Sequence, residues 1–118
     1  MADRALFVGF GAPARGREQR AIQVFGEFVA MFGRMQSDGR IEQAVPVLLD
    51  PHGGDLAGFF LVHGSAEQCA ALQNDDEFRD AMTDAALIAD NLGVVPAIFG
   101  EGVGPEMARY AGAVGTLG

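Results

Sequence analysis

The apolar and polar positions along the chain change period repeatedly, and each change marks an element. Residues 5–11, ALFVGFG, are a short apolar run closed by Gly-Ala-Pro, which predicts a buried strand. From about Gly16 the spacing becomes helical. Ile22, Phe25, Val29 and Phe32 recur along one stripe, Phe28 and Met35 widen it, and Glu18, Gln19, Gln23, Glu27 and Arg34 take the wet side. Gly26 and Gly33 lie inside this helix at about 1 kcal/mol each relative to alanine, so close packing against a sheet is expected there. Asp38-Gly39 supplies a left-handed stop.

Residues 41–50, IEQAVPVLLD, and 56–64, LAGFFLVHG, predict two further strands around the turn-forming PHGGD of 51–55. That gap suits an antiparallel hairpin and cannot hold a crossover helix. Ser65 and Gln68 form an S-x-x-Q capping box that opens a second helical region. Asn74 and Glu77 offer a second N-x-x-E start, so a break or kink is expected near Asn74. Phe78, Met82, Ala85, Ile88 and Leu92 then follow the helical period to a stop at Gly93. Residues 94–100, VVPAIFG, predict a fourth strand. Residues 100–118 hold six glycines; Pro105 starts a short helix through Tyr110, and most of the tail is expected to be mobile. The organisation expected is therefore one domain over 1–100 and a Gly-rich tail over 101–118.

The order β-α-β-β-α-β is the ferredoxin-like pattern of an α+β fold, with an antiparallel sheet ordered 4-1-3-2 and two helices on one face. The prolines test this placement independently of hydropathy. Proline cannot donate to a ladder and belongs on edges; Pro46 and Pro96 fall in strands two and four, the predicted edges. Both faces of the sheet read as apolar: Leu6, Val8 and Phe10 oppose Ala5 and Phe7, Phe59 and Leu61 oppose Phe60 and Val62, and Val94 and Ile98 oppose Val95 and Phe99. Two helices cover only one face. The other, roughly 350 Å² in projection, is near the upper limit for a bare patch and predicts a two-fold homodimer.

Composition narrows the partners. With 49% hydrophobic and 20% charged residues the chain is globular rather than disordered. A net charge of −8, with arginine the only strong base, disfavours nucleic acid and anionic lipid. No apolar run approaches the roughly 20 residues of a membrane span. Ala12-Pro13-Ala14 loosely mimics a signal-peptidase site, but MADR is charged and the apolar stretch after it is short, so no signal peptide is expected. The lone Cys69 excludes an intrachain disulfide and fits a reducing cytoplasm.

The layout, together with LAGFFLVHGSAEQCAAL, NDDEFRDAM and LGVVPAIFGEG, resembles the dimeric α/β-barrel superfamily, and within it small bacterial YCII-related proteins, over roughly residues 4–102. The resemblance implies two sheets packed face to face into a barrel whose interior can hold a ligand. Members of that superfamily include cofactor-free monooxygenases, haem-binding enzymes, lactone isomerases and stress-response proteins. The chain has no tryptophan, so monooxygenase members that use one are poorly matched. No histidine lies near the first strand, so a YCII-like His-Asp pair is not carried over.

Several residues carry candidate chemistry. Gly9, Gly11 and Ala14 fit the dinucleotide fingerprint G-x-G-x-x-G/A. The hairpin between strands two and three is incompatible with the parallel sheet such a site needs, and no acid stands at the required distance, so the glycines read as a strand end. Arg15, Arg17 and Arg20 cluster at the start of the first helix, where positive charge opposes the macrodipole; they are either solvated side chains or an anion site. His63 ends a central strand. Facing the barrel it is the best candidate for an acid, base or ligand; facing the helices it is a residue of the sheet rim. His52 sits in the hairpin turn, and Cys69 reads as a small buried thiol. Gln43 is a candidate polar contact if it shares the face of Val45 and Val47. Asp75, Asp76, Glu77 and Asp80 read as helix capping on a solvated face. No metal motif can be assembled, and no cofactor is called for. Two functional readings follow: a protein that binds or transforms a small molecule, in a pocket between sheet and helices or inside the barrel, and a non-catalytic dimeric interaction or stress-response module. A third makes the tail a lid or an arm exchanged with the partner.

Overall fold

The computed structural model describes residues 3–117. In chain order they form β1 (Arg4–Phe10), α1 (Glu18–Ser37), β2 (Gln43–Leu48), β3 (Gly58–Gly64), α2 (Ala66–Gln73), α3 (Asp76–Ala86), β4 (Gly93–Ile98), a 3-10 turn (Gly100–Gly102) and α4 (Val103–Leu117). All pairings in the sheet are antiparallel, and its order is β2-β3-β1-β4, which is 4-1-3-2 counted from the other edge. This is the ferredoxin-like arrangement. Pro46 and Pro96 both lie on edge strands, where a missing N–H leaves no central ladder bond unmade.

Strand alternation sends Leu6, Val8, Phe60 and Val62 under the helices, where they pack with Val24, Phe28, Met31, Phe32 and Met35 of α1 and Phe78 and Ala85 of α3. Phe60 is the hub. Its ring centroid lies 5.2 Å from those of Phe25 and Phe32, 5.9 Å from Phe28 and 6.2 Å from Phe10. The buried face of α1 is Val24, Phe28, Met31, Phe32 and Met35: Phe28, Phe32 and Met35 of the expected stripe are in the core, while its Ile22 and Val29 are not. Apolar residues cover too wide an arc of this helix for spacing alone to choose its centre, and Ile22 and Val29 fall on an exposed flank. Gly26 and Gly33 are corrected with them: a Cβ at either would meet nothing within 4 Å, so neither makes a close approach to the sheet.

The second helical region breaks at Asn74, as expected, with the next helix capped one residue later. Asp75, not Asn74, caps α3 by accepting from the Phe78 N–H at 3.0 Å, while Ser65 and Gln68 form the reciprocal box at the start of α2. Helix α3 stops at Ala86, well short of Gly93. The chain from Leu87 onward is drawn off the helix by the β1–α1 loop: Ala14 N–H donates to Ile88 C=O, Gly11 N–H to Asp90 C=O and Asp90 N–H to Ala12 C=O, each at 2.7–2.9 Å. The left-handed residue here is Asn91, with φ 56°.

The Gly-rich tail also departs from expectation. Residues 103–117 are one helix, extending beyond the Pro105–Tyr110 turn, and none of its side chains is buried. It leaves the body through Gly100, with φ 57°, and Gly102, and is tied back by the Arg4–Glu106 ion pair.

Candidate functional site

Alternation on the central strands builds two distinct surfaces. On the helix side, β1 and β3 provide a floor of Val8, Phe10 and Phe60, and α1 roofs part of it with Ala21, Val24, Phe25 and Phe28. Past Ala86, where the chain has left the helix, Ile88, Ala89 and Leu92 form one wall and Leu48 and Ala57 the opposite one. The result is a cleft of about 380 Å³ whose lining is apolar apart from Glu18 at its edge. Glu18 itself accepts from the Gly16 N–H at 2.9 Å. Ile22 stands at the rim with 74% of its surface exposed, and Leu48 with 69%. A cleft of this size is at the small end of the range that holds organic ligands, and its lining offers dispersion and little hydrogen bonding. A second hollow, between α1 and α3, is edged by Glu27, Glu77, Asp80 and Asp84, with Arg34 paired to Glu77 at 2.6 Å.

The opposite face of the sheet is apolar and left half-open. It presents Val45 and Val47 from β2, Phe59 and Leu61 from β3, Phe7 from β1 and Val95 from β4. His63 and Gln43 stand on this face as register partners on neighbouring strands. The His63 ring packs against Phe99 with centroids 4.4 Å apart, and its Nε2 is buried without a hydrogen-bond partner among the described residues. Such an atom is costly to leave unmet, which makes it the chief polar feature of an apolar surface.

The other expected site residues are dispersed. Arg15 is exposed in the β1–α1 loop. Arg17 Nη1 donates to the Leu87 carbonyl, binding the start of α1 to the end of α3, and Arg20 pairs with Glu27 at 3.1 Å. The fingerprint glycines serve the fold. Gly11 donates to Asp90, and a Cβ there would meet the Asp90 and Asp55 carbonyl oxygens at 2.7 and 2.8 Å. His52 holds the hairpin loop, its Nδ1 accepting from the Gly54 N–H and its Nε2 2.8 Å from the Leu56 carbonyl. Cys69 is half-buried against the core; burial pushes its thiol upward, partly opposed by the Arg4 charge. Among the described residues no cluster of three or more His, Cys, Asp or Glu could hold a metal ion, and no helix is long and apolar enough to cross a membrane. Spacing signalled the apolar cleft residues Ile22, Phe25, Ile88 and Leu92 only as core positions, because a cleft arises from where α3 ends.

No family model matches the chain, and no curated protein does. Solved structures do. A dimeric protein of unknown function and ferredoxin-like fold from Bacteroides fragilis NCTC 9343 superposes with a TM-score of 0.60 at 10% identity, over 81% of this chain and 96% of that one. A candidate antibiotic biosynthesis monooxygenase from Chloroflexus aurantiacus J-10-fl superposes with a TM-score of 0.54 at 17% identity, over 84% of this chain and 95% of that one. At these identities the likeness is one of fold: a four-stranded antiparallel sheet with helices on one side.

Proposed function

We propose that this chain is a homodimeric, dimeric α/β-barrel-type protein that binds a small apolar molecule in the cleft beneath α1. The observation that carries the reading is the cleft of about 380 Å³, apolar but for Glu18 and open at Ile22 and Leu48. The dimeric Bacteroides neighbour and the apolar outer sheet face support the assembly. Kinship with bacterial YCII-related proteins and residence in a reducing cytoplasm belong to the same reading, the latter supported by the single free thiol. Arg15, exposed beside the Gly11–Pro13 side of the cleft, is the candidate contact for an anionic end of the ligand, with Arg17 beside it.

The test is titration with the neutral fluorophore N-phenyl-1-naphthylamine. At about 0.3–0.4 kcal/mol per non-hydrogen atom, a probe of about 17 such atoms binds with a Kd on the order of 10–200 µM. Ala21→Phe, which projects a ring into the cleft, lowers that affinity by about tenfold or more while the fold is retained. Saturable binding that Ala21→Phe leaves unchanged refutes the site.

A second reading has its own observation. The buried, unpartnered Nε2 of His63, beside Gln43 on the outer face, makes that pair the candidate acid-base and polar contact inside a sheet-to-sheet barrel. A ligand whose affinity depends on His63 and Gln43 but not on Ala21 favours it. The non-catalytic interaction module is favoured instead by a cellular role that depends on surface acids and survives His63→Ala.

A further inference from the structure

Helix α4 carries an apolar stripe with nothing on it. Val103, Met107, Tyr110, Val114 and Leu117 alternate four and three residues apart, and their exposure runs from 44% to 89%. That alternation is the seam spacing of one helix packed on another. A helix of this length is marginal in water on its own, and Gly104, Gly112 and Gly115 weaken it further. It needs a packing partner, and its own body provides little beyond the 3-10 turn and the Arg4–Glu106 pair.

The size of the molecule says that the missing partner is large. The accessible surface is 7455 Å², against about 6,100 Å² for a compact monomer of this mass. The radius of gyration is 16.2 Å, against about 13.5 Å for a compact chain of this length. A stable dimer removes about 800 Å² per partner. The open sheet face contributes a footprint of roughly 350 Å² in projection. An α4 about 22 Å long and about 10 Å wide adds roughly 220 Å², and the strip that receives the second copy's α4 adds as much again. Pairing the two α4 helices with each other counts only the first contribution. Exchange onto the bodies counts both and so gives the larger interface.

A receiving strip exists. Ile22, Gly26, Val29 and Gly33 repeat the same four-three spacing on the outer flank of α1; Ile22 and Val29 are exposed, and a Cβ at either glycine would meet nothing within 4 Å. Glycines between apolar side chains let a second helix approach closely. We infer that α4 is an exchanged arm: in the two-fold dimer of the proposed function, on which this inference rests, each protomer's α4 stripe lies along Ile22, Gly26, Val29 and Gly33 of the second copy. Because Ile22 also forms the rim of the ligand cleft, the partner's arm completes the cleft mouth.

The experiment is sedimentation analysis of the full chain, the double variant Met107→Glu/Val114→Glu, and Leu61→Glu on the open sheet face, with circular dichroism as the folding control. A Val29→Cys/Met107→Cys pair in a Cys69→Ser background reports the contact directly. The expected result is a dimer whose dissociation constant rises by about 100-fold in each charged variant, with the sheet signal intact, and a disulfide that links two protomers. If the arm variant stays within about threefold of the parent while Leu61→Glu dissociates, the arm is overturned and the sheet dimer stands. If only the arm variant dissociates, the arm stands and the sheet dimer falls. Dissociation of the arm variant without the intermolecular disulfide overturns the α1 strip as the receiver. A parent chain that is monomeric at about 100 µM, or whose α4 instead draws it onto lipid vesicles, overturns the inference outright.

Discussion

Replacing Phe60 by alanine removes the ring on which the core converges. Phe60 is 3% exposed and has Phe10, Phe25, Phe28 and Phe32 within 6.2 Å of its centroid. Deleting a buried phenylalanine costs about 3–5 kcal/mol, the transfer of the lost atoms plus the cavity left behind. Several aromatic neighbours and little room to collapse put this site in the upper half of that range. A domain with about 5–15 kcal/mol of stability survives the loss. At about 3–6 °C per kcal/mol for a chain of this length, the midpoint of thermal unfolding falls by about 12–30 °C. Phe60 is also part of the cleft floor, so the cavity joins the cleft. An apolar probe too bulky for the parent chain then binds Phe60→Ala and restores stability by RT ln(1 + [L]/Kd). Circular dichroism in urea and on heating, with and without the probe, reads both effects. A loss below about 1.5 kcal/mol refutes Phe60 as the hub of the core. The expected loss without rescue by any bulky apolar probe refutes the continuity of core and cleft.

Other outcomes follow from local geometry. Gly11→Ala forces a Cβ against two carbonyl oxygens at 2.7 and 2.8 Å, so it destabilises by about 1–3 kcal/mol and loosens the β1–α1 loop from Asp90, seen as faster amide exchange at Ala14 and Asp90. The Asp38 carboxylate is held below its ordinary pKa by its hydrogen bonds to Arg40, which also reaches Asp75 and Glu77. A depressed carboxylate stabilises the fold above its unfolded pKa and loses that contribution as pH falls through the folded one. The midpoint difference between the parent chain and Asp38→Asn is therefore present at pH 6 and shrinks below the ordinary carboxylate range. Burial pushes the Cys69 thiol pKa up and restricts access to it, so a thiol reagent modifies the native chain at pH 7.5 more slowly than the urea-unfolded chain; equal rates would contradict its placement against the core.

The sequence by itself determined the fold class. The short apolar runs ALFVGFG and LAGFFLVHG, the hairpin gap of PHGGD, the Ser65 capping box and the two edge prolines are each set within a few residues, so each is legible locally. Both faces read as apolar from the sequence, and the sheet register then places Phe7, Phe59, Leu61 and Val95 together on the second one. His63 was legible as a candidate, but the face it occupies required its pairing with Gln43 and Ala5. Tertiary structure decided the rest, because the deciding contacts join segments far apart in the chain. Apolar residues cover so much of α1 that only docking could choose Val24, Phe28, Met31 and Met35 for the core and leave Ile22 and Val29 outside. Periodicity carried α3 on to Leu92; hydrogen bonds from the β1–α1 loop to Ile88 and Asp90 end it at Ala86, and the space this opens is the cleft. The stripe of α4 escaped the sequence reading because its glycines signal a mobile tail, and only the fold shows a continuous helix that no surface among the described residues buries.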